Sequence, residues 1–456
     1  MELTKVIARN IVQTQYDNLP TETREATKRS ILDAIGVMFP PSTLEKACVS
    51  LYEIVKETGG KEESTIVGFG GRAPCREAAF VNGSLVHALD YDDVTDKAAH
   101  HPSASTVPAA LAVAEKMGKV NGKAFITAIA VGNDLGVRLA STPKGSLWAD
   151  YPWFPISIFG AFTAAVAPGK LLGLSEEQMI NALGIALQRA FGISEAMTAP
   201  NSVMRAIRDG FTNKEGILCA LMAGKGITAC KDGIEKLFKF FYKDQYDPQA
   251  LTSDLGKKFR GTEAGLKPWP SCRETHSSIQ AALDIVKEHN IKPEQIEGIA
   301  LTVGRFAGER LCEPPEAKRA PKLSIDAKFS LPYTVGVALV KRKVEIADFL
   351  PENLNNPEVL GIAKKVSYKV DPEFPGVAPS IMTIKTKEGK LLTKRVDVVY
   401  GNFQNPLSKE GLAAKFRDCV HYSKKPLSPE KTGQVIEGIL NLEQVKDIRE
   451  ITNLLS

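Results

Sequence analysis

Four segments rich in alanine and glycine constrain the fold of this chain more than any other feature. They lie between residues 128 and 226 and read AIAVGNDLGVRLA, FGAFTAAVAPGK, NALGIALQRAFG and GILCALMAGKG. Their apolar residues recur at helical spacing, and small side chains allow helices to approach one another closely. Strand-like alternation is almost absent between the polar segment at residues 82–118 and about residue 265. A tightly packed helical core is therefore predicted for this part of the chain.

Local signals place several of the helix ends. Asn121 is expected to cap a helix that runs through Leu139, and Pro155 is expected to open the next one. Ser175 and Gln178 have the spacing of a capping box. Nearer the start, helices are predicted over residues 3–15 and 22–38, the second with Thr21 as its cap.

The pattern changes near residues 266–270. IEGIALTVG and KKVSYKV alternate as strands do, and SIMTIKTKEGKLLTKRVDVVY predicts two further strands around a turn at 387–390. A helix is expected at 326–341, and helical spacing returns after residue 407. We therefore expect a mostly α protein. Residues 1–265 and 405–456 would form a large all-helical domain, with a smaller α+β domain, 266–404, inserted as a lid.

Composition restricts the class of protein. The chain has 456 residues, 43% of them hydrophobic, and its net charge of +5 is spread without a basic block. Seven cysteines without a CxxC pair favour reduced thiols, and neither a signal peptide nor a membrane span is evident. These features predict a cytoplasmic protein that binds neither nucleic acid nor a membrane, and the mildly basic charge fits an anionic small molecule.

Polar chemistry concentrates in residues 82–118. Six acidic or imidazole residues fall within twelve positions, and they are Asp90, Asp92, Asp93, Asp96, His100 and His101. An apolar helix precedes them. The Ala-rich helix that follows is expected to start at Ser105–Pro108 and to end at Gly118.

Two interpretations of this segment involve a metal. The DDVTD spacing would place Asp93 and Asp96 on one helical face, where terpenoid synthases bind magnesium, but a second motif with the required spacing is missing. Asp with His100 and His101 would suit zinc by residue type, yet adjacent histidines rarely reach one metal.

A third interpretation needs no metal. A carboxylate substrate that loses a neighbouring proton builds up negative charge, which cationic groups must stabilise while an imidazole moves the proton. His101 and Asp90 would supply the proton chemistry, and Arg205 and Lys267 the anion contacts. The structural alternative is that Asp93 caps a helix, His100 faces solvent, and the two basic residues are surface charges.

Four segments match those of a known family, in order over nearly the entire chain: NGSLVHALDYDD, HPSASTVPAALAVAE, IDAKFSLPYTVGVAL and NPLSKEGLAAKFRDCV. Through them the sequence resembles the MmgE/PrpD family. The resemblance implies a helical domain with a smaller α+β lid, a homodimer, and an active site between the domains. Members include 2-methylcitrate dehydratase, cis-aconitate decarboxylase and iminodisuccinate epimerase. They act on small di- or tricarboxylates without metal or other cofactor.

The resemblance also implies site residues in the acidic loop. The Asp of the family's DxDD motif is similar to Asp90, and the His of its HPS motif falls on His101. The loop is one residue longer than in the decarboxylase. This leaves His100 as an alternative imidazole, and it leaves open whether Val94 or Thr95 replaces a nearby Thr.

Four further positions follow from the resemblance. A family Lys falls on Arg205, which keeps the charge but cannot readily give up a proton and should hold a carboxylate. A second Lys matches Lys267, and the aromatic residue of the lid helix matches Tyr333. Phe154 stands where the decarboxylase has a His, which puts cis-aconitate decarboxylation in doubt.

We therefore expect a metal-independent carbon–oxygen lyase that removes water from a small polycarboxylate, as 2-methylcitrate dehydratase does. His101, Asp90 and Lys267 would be catalytic, and Arg205 and Tyr333 would bind substrate. An epimerase, racemase or decarboxylase on the same fold is the nearest alternative. A carboxylate-binding protein without activity is the alternative of another class.

Overall fold

Two units make up the chain in the computed structural model, which describes residues 2–98, 100–145, 150–199, 202–374 and 379–456. The larger contains the chain up to Ala264 together with Ser408–Ser456, and the smaller contains Gly265–Leu407. Residues around Gly401 belong to the smaller unit because they lie against its first residues. A Cβ added at Gly401 would be 2.1 Å from the carbonyl oxygen of Leu266.

The protein is mostly α-helical, as predicted. Its helices are α1 (Leu3–Gln13), α2 (Thr21–Val37), α3 (Pro41–Leu44), α4 (Lys46–Thr58), α5 (Cys75–His87), α6 (Pro102–Met117), α7 (Gly122–Ala140), α8 (Pro155–Leu171), α9 (Glu176–Arg189), α10 (Ser194–Thr198), α11 (Met204–Gly224), α12 (Gly233–Tyr242), α13 (Pro248–Thr252), α14 (His276–His289), α15 (Arg305–Leu311), α16 (Pro315–Arg319), α17 (Ser324–Lys328), α18 (Leu331–Lys341), α19 (Pro357–Ala363), α20 (Lys409–His421), α21 (Pro429–Leu440) and α22 (Arg449–Thr452). The strands are β1 (Ser64–Thr65), β2 (Arg72–Ala73), β3 (Ile296–Val303), β4 (Val366–Val370), β5 (Ser380–Thr386) and β6 (Leu391–Val396).

Most of the helix ends follow the local signals. The Asn121 side chain accepts a hydrogen bond from the backbone of Ala124 at the start of α7, and Ser175 and Gln178 form the capping box of α9. The predicted cap at Thr21 is wrong, because Thr21 is already the first residue of α2 and no side chain caps that helix.

The start of α6 also differs from the prediction. The helix begins at Pro102, and Pro108 lies inside it. Pro108 has no N–H for the carbonyl of Ala104, and the side chain of Asn213 on α11 replaces that donor at 2.8 Å. The same amide accepts from the backbone N–H of Ala109 at 2.9 Å. A side chain more than 100 positions away along the sequence therefore makes an interior proline tolerable.

Small residues bring the helices of the larger unit together, as their spacing predicted. A Cβ added at Gly216 of α11 would lie 2.4 Å from Ala164 of α8, and one at Gly210 would lie 2.1 Å from the Ser84 hydroxyl of α5. Side chains larger than hydrogen at these positions would push α11 away from both neighbours. The close approach holds α5, α6, α8 and α11 around the acidic loop.

The smaller unit contains a four-stranded sheet in the order β4-β3-β5-β6. β3 pairs in parallel with β4, while the β3–β5 and β5–β6 pairs are antiparallel. Ile299, Leu301 and Val303 point to one buried face, as the alternation predicted. The helix expected at 326–341 is divided into α17 and α18, because the Ser330 side chain caps α18 through the backbone N–H of Tyr333.

Candidate active site

The acidic segment between α5 and α6 is buried and is fixed by contacts within the larger unit. Asp90 has a left-handed backbone (φ 59°), a conformation that Asp adopts more readily than most residues. Lys415 of α20 donates to the backbone carbonyl of Tyr91 at 2.7 Å and to the Asp33 carboxylate of α2 at 2.6 Å. The C-terminal helices thus support a loop that lies more than 300 residues earlier in the sequence.

Asp93 caps α6. Its carboxylate accepts from the backbone N–H of Ser103 at 3.2 Å and from the Ser103 hydroxyl at 2.6 Å. Asp93 and Asp96 both lie in the loop, so the helical face that the magnesium interpretation of DDVTD required does not form. The structural interpretation of Asp93 as a helix cap is correct.

His101 is held by a carboxylate that a second imidazole also contacts. Nδ1 of His101 lies 3.0 Å from Oδ2 of Asp92 and 2.7 Å from the backbone carbonyl of Asp93. Nδ1 of His87, the last residue of α5, lies 2.9 Å from Oδ1 of Asp92. The carboxylate that contacts the His101 ring is that of Asp92. His101 is 7% exposed, and within the described part of the chain its Nε2 makes no hydrogen bond.

The surroundings shift the pKa values of His87 and Asp92. Burial lowers the pKa of His87 well below its ordinary value, and the nearby Arg208 guanidinium lowers it further, so His87 is neutral. Burial opposes ionisation of Asp92, but His101 and His87 hold the pKa of that carboxyl well below its ordinary range. Asp92 is thus an ionised acceptor facing two ring N–H groups.

An ion pair between Arg205 and Asp90 lies close to these residues. Nη2 of Arg205 lies 3.0 Å from Oδ2 of Asp90, and the Arg205 side chain is 26% exposed. Arg208, one helical turn further along α11, is fully buried, with Nη2 3.3 Å from Asp209 and its guanidinium 5.1 Å from the Phe154 ring. Burial lowers the pKa of Arg208, and Arg205 adds to this effect. Two guanidinium groups therefore accompany the imidazole, and an anion would be attracted to them.

His100 does not face solvent, contrary to the structural alternative in the sequence analysis. It is 1% exposed, and neither ring nitrogen has a hydrogen-bond partner among the described residues. Its ring lies edge-on to Phe159, and a Cβ added at Gly136 would be 2.8 Å from its Nε2. Burial lowers the pKa of His100 to about 3. Thr95 is occupied with the His100 backbone, donating its N–H to that carbonyl at 2.9 Å.

The other two predicted site residues belong to the smaller unit. Lys267 lies in the loop before α14 and is 1% exposed, so it is not a solvated surface charge. Tyr333 lies in the hydrophobic core of that unit, and its hydroxyl donates to the backbone carbonyl of Asp348 at 2.7 Å. This contact is structural, and it gives no support to the predicted role of Tyr333 in substrate binding.

Three residues of the site were missed from the sequence: His87, Asp92 and Arg208. Arg208 could have been found, because a residue three positions after Arg205 on a helix lies on the same face. His87 and Asp92 carry no such signal. Their contact depends on the left-handed turn at Asp90, which directs the next carboxylate back toward the end of α5.

His87, Asp92 and His101 are also the residue types that bind zinc, and their ligand atoms lie within 4.8 Å of one another. The contacts of His101 argue for protons in place of a metal. A ring nitrogen 2.7 Å from a carbonyl oxygen must carry a hydrogen, since two lone pairs would otherwise face each other. The Nδ1 atom that would bind the metal is therefore a donor in this arrangement.

Comparison with known families covers most of the chain. A sequence model of the MmgE/PrpD N-terminal domain matches residues 5–245, and a model of the MmgE/PrpD C-terminal domain matches residues 269–441. The chain belongs to the MmgE/PrpD family.

Relatives within the MmgE/PrpD family extend over nearly the full chain. A human cis-aconitate decarboxylase is 28% identical over 99% of this chain and 94% of its own length. The cis-aconitate decarboxylase of Aspergillus terreus (strain NIH 2624) is 25% identical over 96% of this chain and 93% of its own. The mouse decarboxylase is 28% identical, with 94% and 88% covered. Among the described helices, none has the length and apolar character needed to cross a membrane.

Proposed function

We propose that this protein is a lyase of a small di- or tricarboxylate and that His101 is its acid–base group. One observation carries the proposal: the His101 ring is fixed through Nδ1 by Asp92, while Nε2 makes no hydrogen bond to any residue that the structure describes. An imidazole held in this way can accept a proton at Nε2 and return it. The Asp90–Arg205 pair supports a role in binding the substrate's carboxylates.

The reaction we infer is elimination of water. Nε2 of His101 takes the proton from the carbon next to a substrate carboxylate, and Arg205 stabilises the charge that develops on that carboxylate. The carbon–oxygen bond then breaks, and the hydroxide leaves with the proton from Nε2–H. Protons balance over the cycle, and a single imidazole serves both steps. Phe154 packs against Arg208 and provides no second imidazole at that position.

Decarboxylation is the second candidate, and the names of the matched relatives favour it. In that reaction carbon dioxide leaves first and a protonated His101 delivers the proton to carbon. The two reactions start from opposite states of the ring. Elimination needs neutral His101 as a base, whereas decarboxylation needs its imidazolium as an acid.

Other features remain predictions from the sequence. Lys267 would bind a second carboxylate or assist proton transfer, Tyr333 would contact substrate, and the smaller unit would act as a lid. A homodimer is expected, and no cofactor is proposed.

A product assay in deuterated water tests the proposal. Purified protein is incubated with 2-methylcitrate, citrate, cis-aconitate and iminodisuccinate, and proton NMR follows each acid together with release of carbon dioxide. Loss of water supports the dehydratase, and carbon dioxide supports the decarboxylase. Deuterium exchange without either product would identify an epimerase and overturn the lyase proposal. Thermal stabilisation by an acid without any conversion would indicate the binding protein instead.

A further inference from the structure

The buried histidine at the end of α5 contributes a donor at a position where packing alone does not require one. His87 is completely buried, its Nδ1 contacts Asp92, and its Nε2 has no hydrogen-bond partner among the described residues. Burying a polar nitrogen without a partner costs about 1–3 kcal/mol. An apolar residue in this place would avoid that cost, so the imidazole needs a reason beyond filling space.

The single N–H of neutral His87 is donated to Asp92 and helps to hold that carboxylate in place. A neutral imidazole has a single ring hydrogen, and the 2.9 Å contact with Asp92 places it on Nδ1. The other carboxylate oxygen, Oδ2, faces Nδ1 of His101 at 3.0 Å. His87 Nδ1 also lies 3.1 Å from Oδ2, so the carboxylate is held between the N–H groups of the two rings. The His87 and His101 rings also meet edge to face at 4.6 Å between centroids.

The same geometry fixes the tautomer of His101. Its Nδ1 faces two acceptors, the Asp92 carboxylate at 3.0 Å and the Asp93 carbonyl at 2.7 Å. Hydrogen on Nδ1 can be donated to both of them. With the hydrogen on Nε2, the Nδ1 lone pair would face lone pairs of the Asp92 carboxylate and of the Asp93 carbonyl. The lone pair of neutral His101 is thus directed to Nε2, the atom that has no partner in the described chain.

We infer that His87 and Asp92 are positioning residues for His101: His87 holds the Asp92 carboxylate, and Asp92 holds His101 with its basic lone pair on Nε2. This inference deepens the proposed function and rests on it for its kinetic consequences. Among the described residues, titratable groups near these three come from the loop and from α11. The loop contributes Asp90, Asp93 and His100, and α11 contributes Arg205, Arg208 and Asp209. Arg208 disfavours a second proton on His87 and so preserves the arrangement.

Three substitutions in the full-length protein test the inference. Asp92→Asn offers a single uncharged acceptor oxygen, so one of the two rings loses its carboxylate contact, and His101 keeps only the Asp93 carbonyl as a certain acceptor. Where a carboxylate fixes a catalytic imidazole, this change lowers kcat by about 10⁴, and we expect a loss of about 10²- to 10⁴-fold with KM within about 3-fold. His87→Leu removes the donor at similar volume and should lower kcat at least ~10-fold. His87→Asn places an amide N–H near the position of Nδ1 and should recover kcat to within about 3-fold of wild type.

Wild-type kcat in His87→Leu, or equal losses in the Leu and Asn variants, would overturn the inference, because a role in packing alone would not distinguish an amide from a methyl group. Circular dichroism and thermal unfolding of each variant verify the fold.

A second measurement does not depend on turnover. In protein labelled with ¹⁵N-histidine, which has six histidines to assign, both His87 and His101 should carry hydrogen on Nδ1 at neutral pH. Asp92→Asn should shift the Nδ1 resonance of His87 or His101, because the amide oxygen can accept from only one of the two rings. A ring that carries hydrogen on Nε2 and none on Nδ1, at either position in the wild type, would refute the inference whatever reaction the protein performs. If the tautomers are as expected and no acid is converted, the proposed function fails and the positioning geometry stands.

Discussion

Two buried arginines of the larger unit have opposite surroundings. Arg138 of α7 donates from Nε to Asp134 at 2.9 Å, from Nη1 to the carbonyls of Leu251 and Ser253, and from Nη2 to that of Lys258. Arg208 of α11 is equally buried, yet Nη1 donates to one carbonyl, and Nε and Nη2 have no hydrogen bond among the described residues. Asp209 forms an ion pair with Nη2 at 3.3 Å, but neither of its oxygens accepts a hydrogen bond from the described residues.

We therefore distinguish a structural cluster around Arg138 from a functional cluster around Arg208. Buried polar groups are normally satisfied, and Arg138 fits that rule because it connects α7 to the segment that precedes the smaller unit. Around Arg208 the protein keeps buried charges at a cost to stability, and Nε2 of the nearby His101 has no hydrogen bond within the described ranges. Groups left unsatisfied by the protein are available to a ligand. We therefore expect substitutions near Arg208 to change catalysis and substitutions near Arg138 to change stability.

The largest effect is expected at His101. His101→Asn retains an N–H toward Asp92 but removes the Nε2 base, so kcat should fall by about 10²- to 10⁴-fold. Because the contact with Asp92 is kept, the free energy of unfolding should change by less than about 1 kcal/mol. Steady-state kinetics and urea denaturation measure the two quantities. Turnover within 10-fold of wild type would remove His101 from the mechanism.

Arg138→Met should lower the free energy of unfolding and leave kcat nearly unchanged. The change leaves Asp134 buried without its cation and three carbonyls without a donor, and breaking a buried pair in this way costs about 3–5 kcal/mol. The kcat of the folded protein should stay within about 3-fold of wild type. Urea denaturation gives the first value, and kinetics below the unfolding transition give the second. A stable but inactive variant would contradict the division between the two clusters.

How far the sequence could predict these clusters depends on how local the signals are. The capping box at Ser175 and the alternating strand at Ile299–Val303 are set by neighbours in sequence, and both were predicted correctly. The start of α6 was not, because Asn213 supplies the hydrogen bonds that Pro108 disrupts. His101 was predicted to be an acid–base group through the family resemblance, but its partner Asp92 depends on one backbone angle at Asp90.

Arg205 offers a prediction about binding. Arg205→Gln should raise KM by about 10- to 100-fold, since a hydrogen bond to a charged group contributes about 1.5–3 kcal/mol. Lys214→Gln is the matched control: it lies on the same helix, is 26% exposed like Arg205, and pairs with Glu77 at 2.8 Å. The control should leave KM within about 2-fold. Equal effects of both substitutions would show that the general charge of α11 matters, and that no specific carboxylate contact is made.

His100 is an exception to the division between the two clusters. Its ring nitrogens make no hydrogen bond within the described chain, yet the ring lies against the apolar Phe159. Its pKa is lowered to about 3 in the folded protein, against about 6.5 in the unfolded chain. The unfolded state therefore binds a proton that the folded state refuses, and stability is lost as the pH falls from about 6.5 toward 3. At pH 5 this amounts to about 2 kcal/mol for one such group.

His100→Leu removes that proton site and two unsatisfied nitrogens while keeping an apolar contact with Phe159. Between pH 7.5 and pH 5 the variant should lose about 2 kcal/mol less stability than wild type, as measured by urea denaturation at both values. His87, whose pKa is also lowered, is present in both proteins and cancels in the difference. Turnover should remain within about 3-fold of wild type. Loss of activity with unchanged acid sensitivity would mean that His100 is the working imidazole, and that unsatisfied nitrogens mark the site even where the surroundings are apolar.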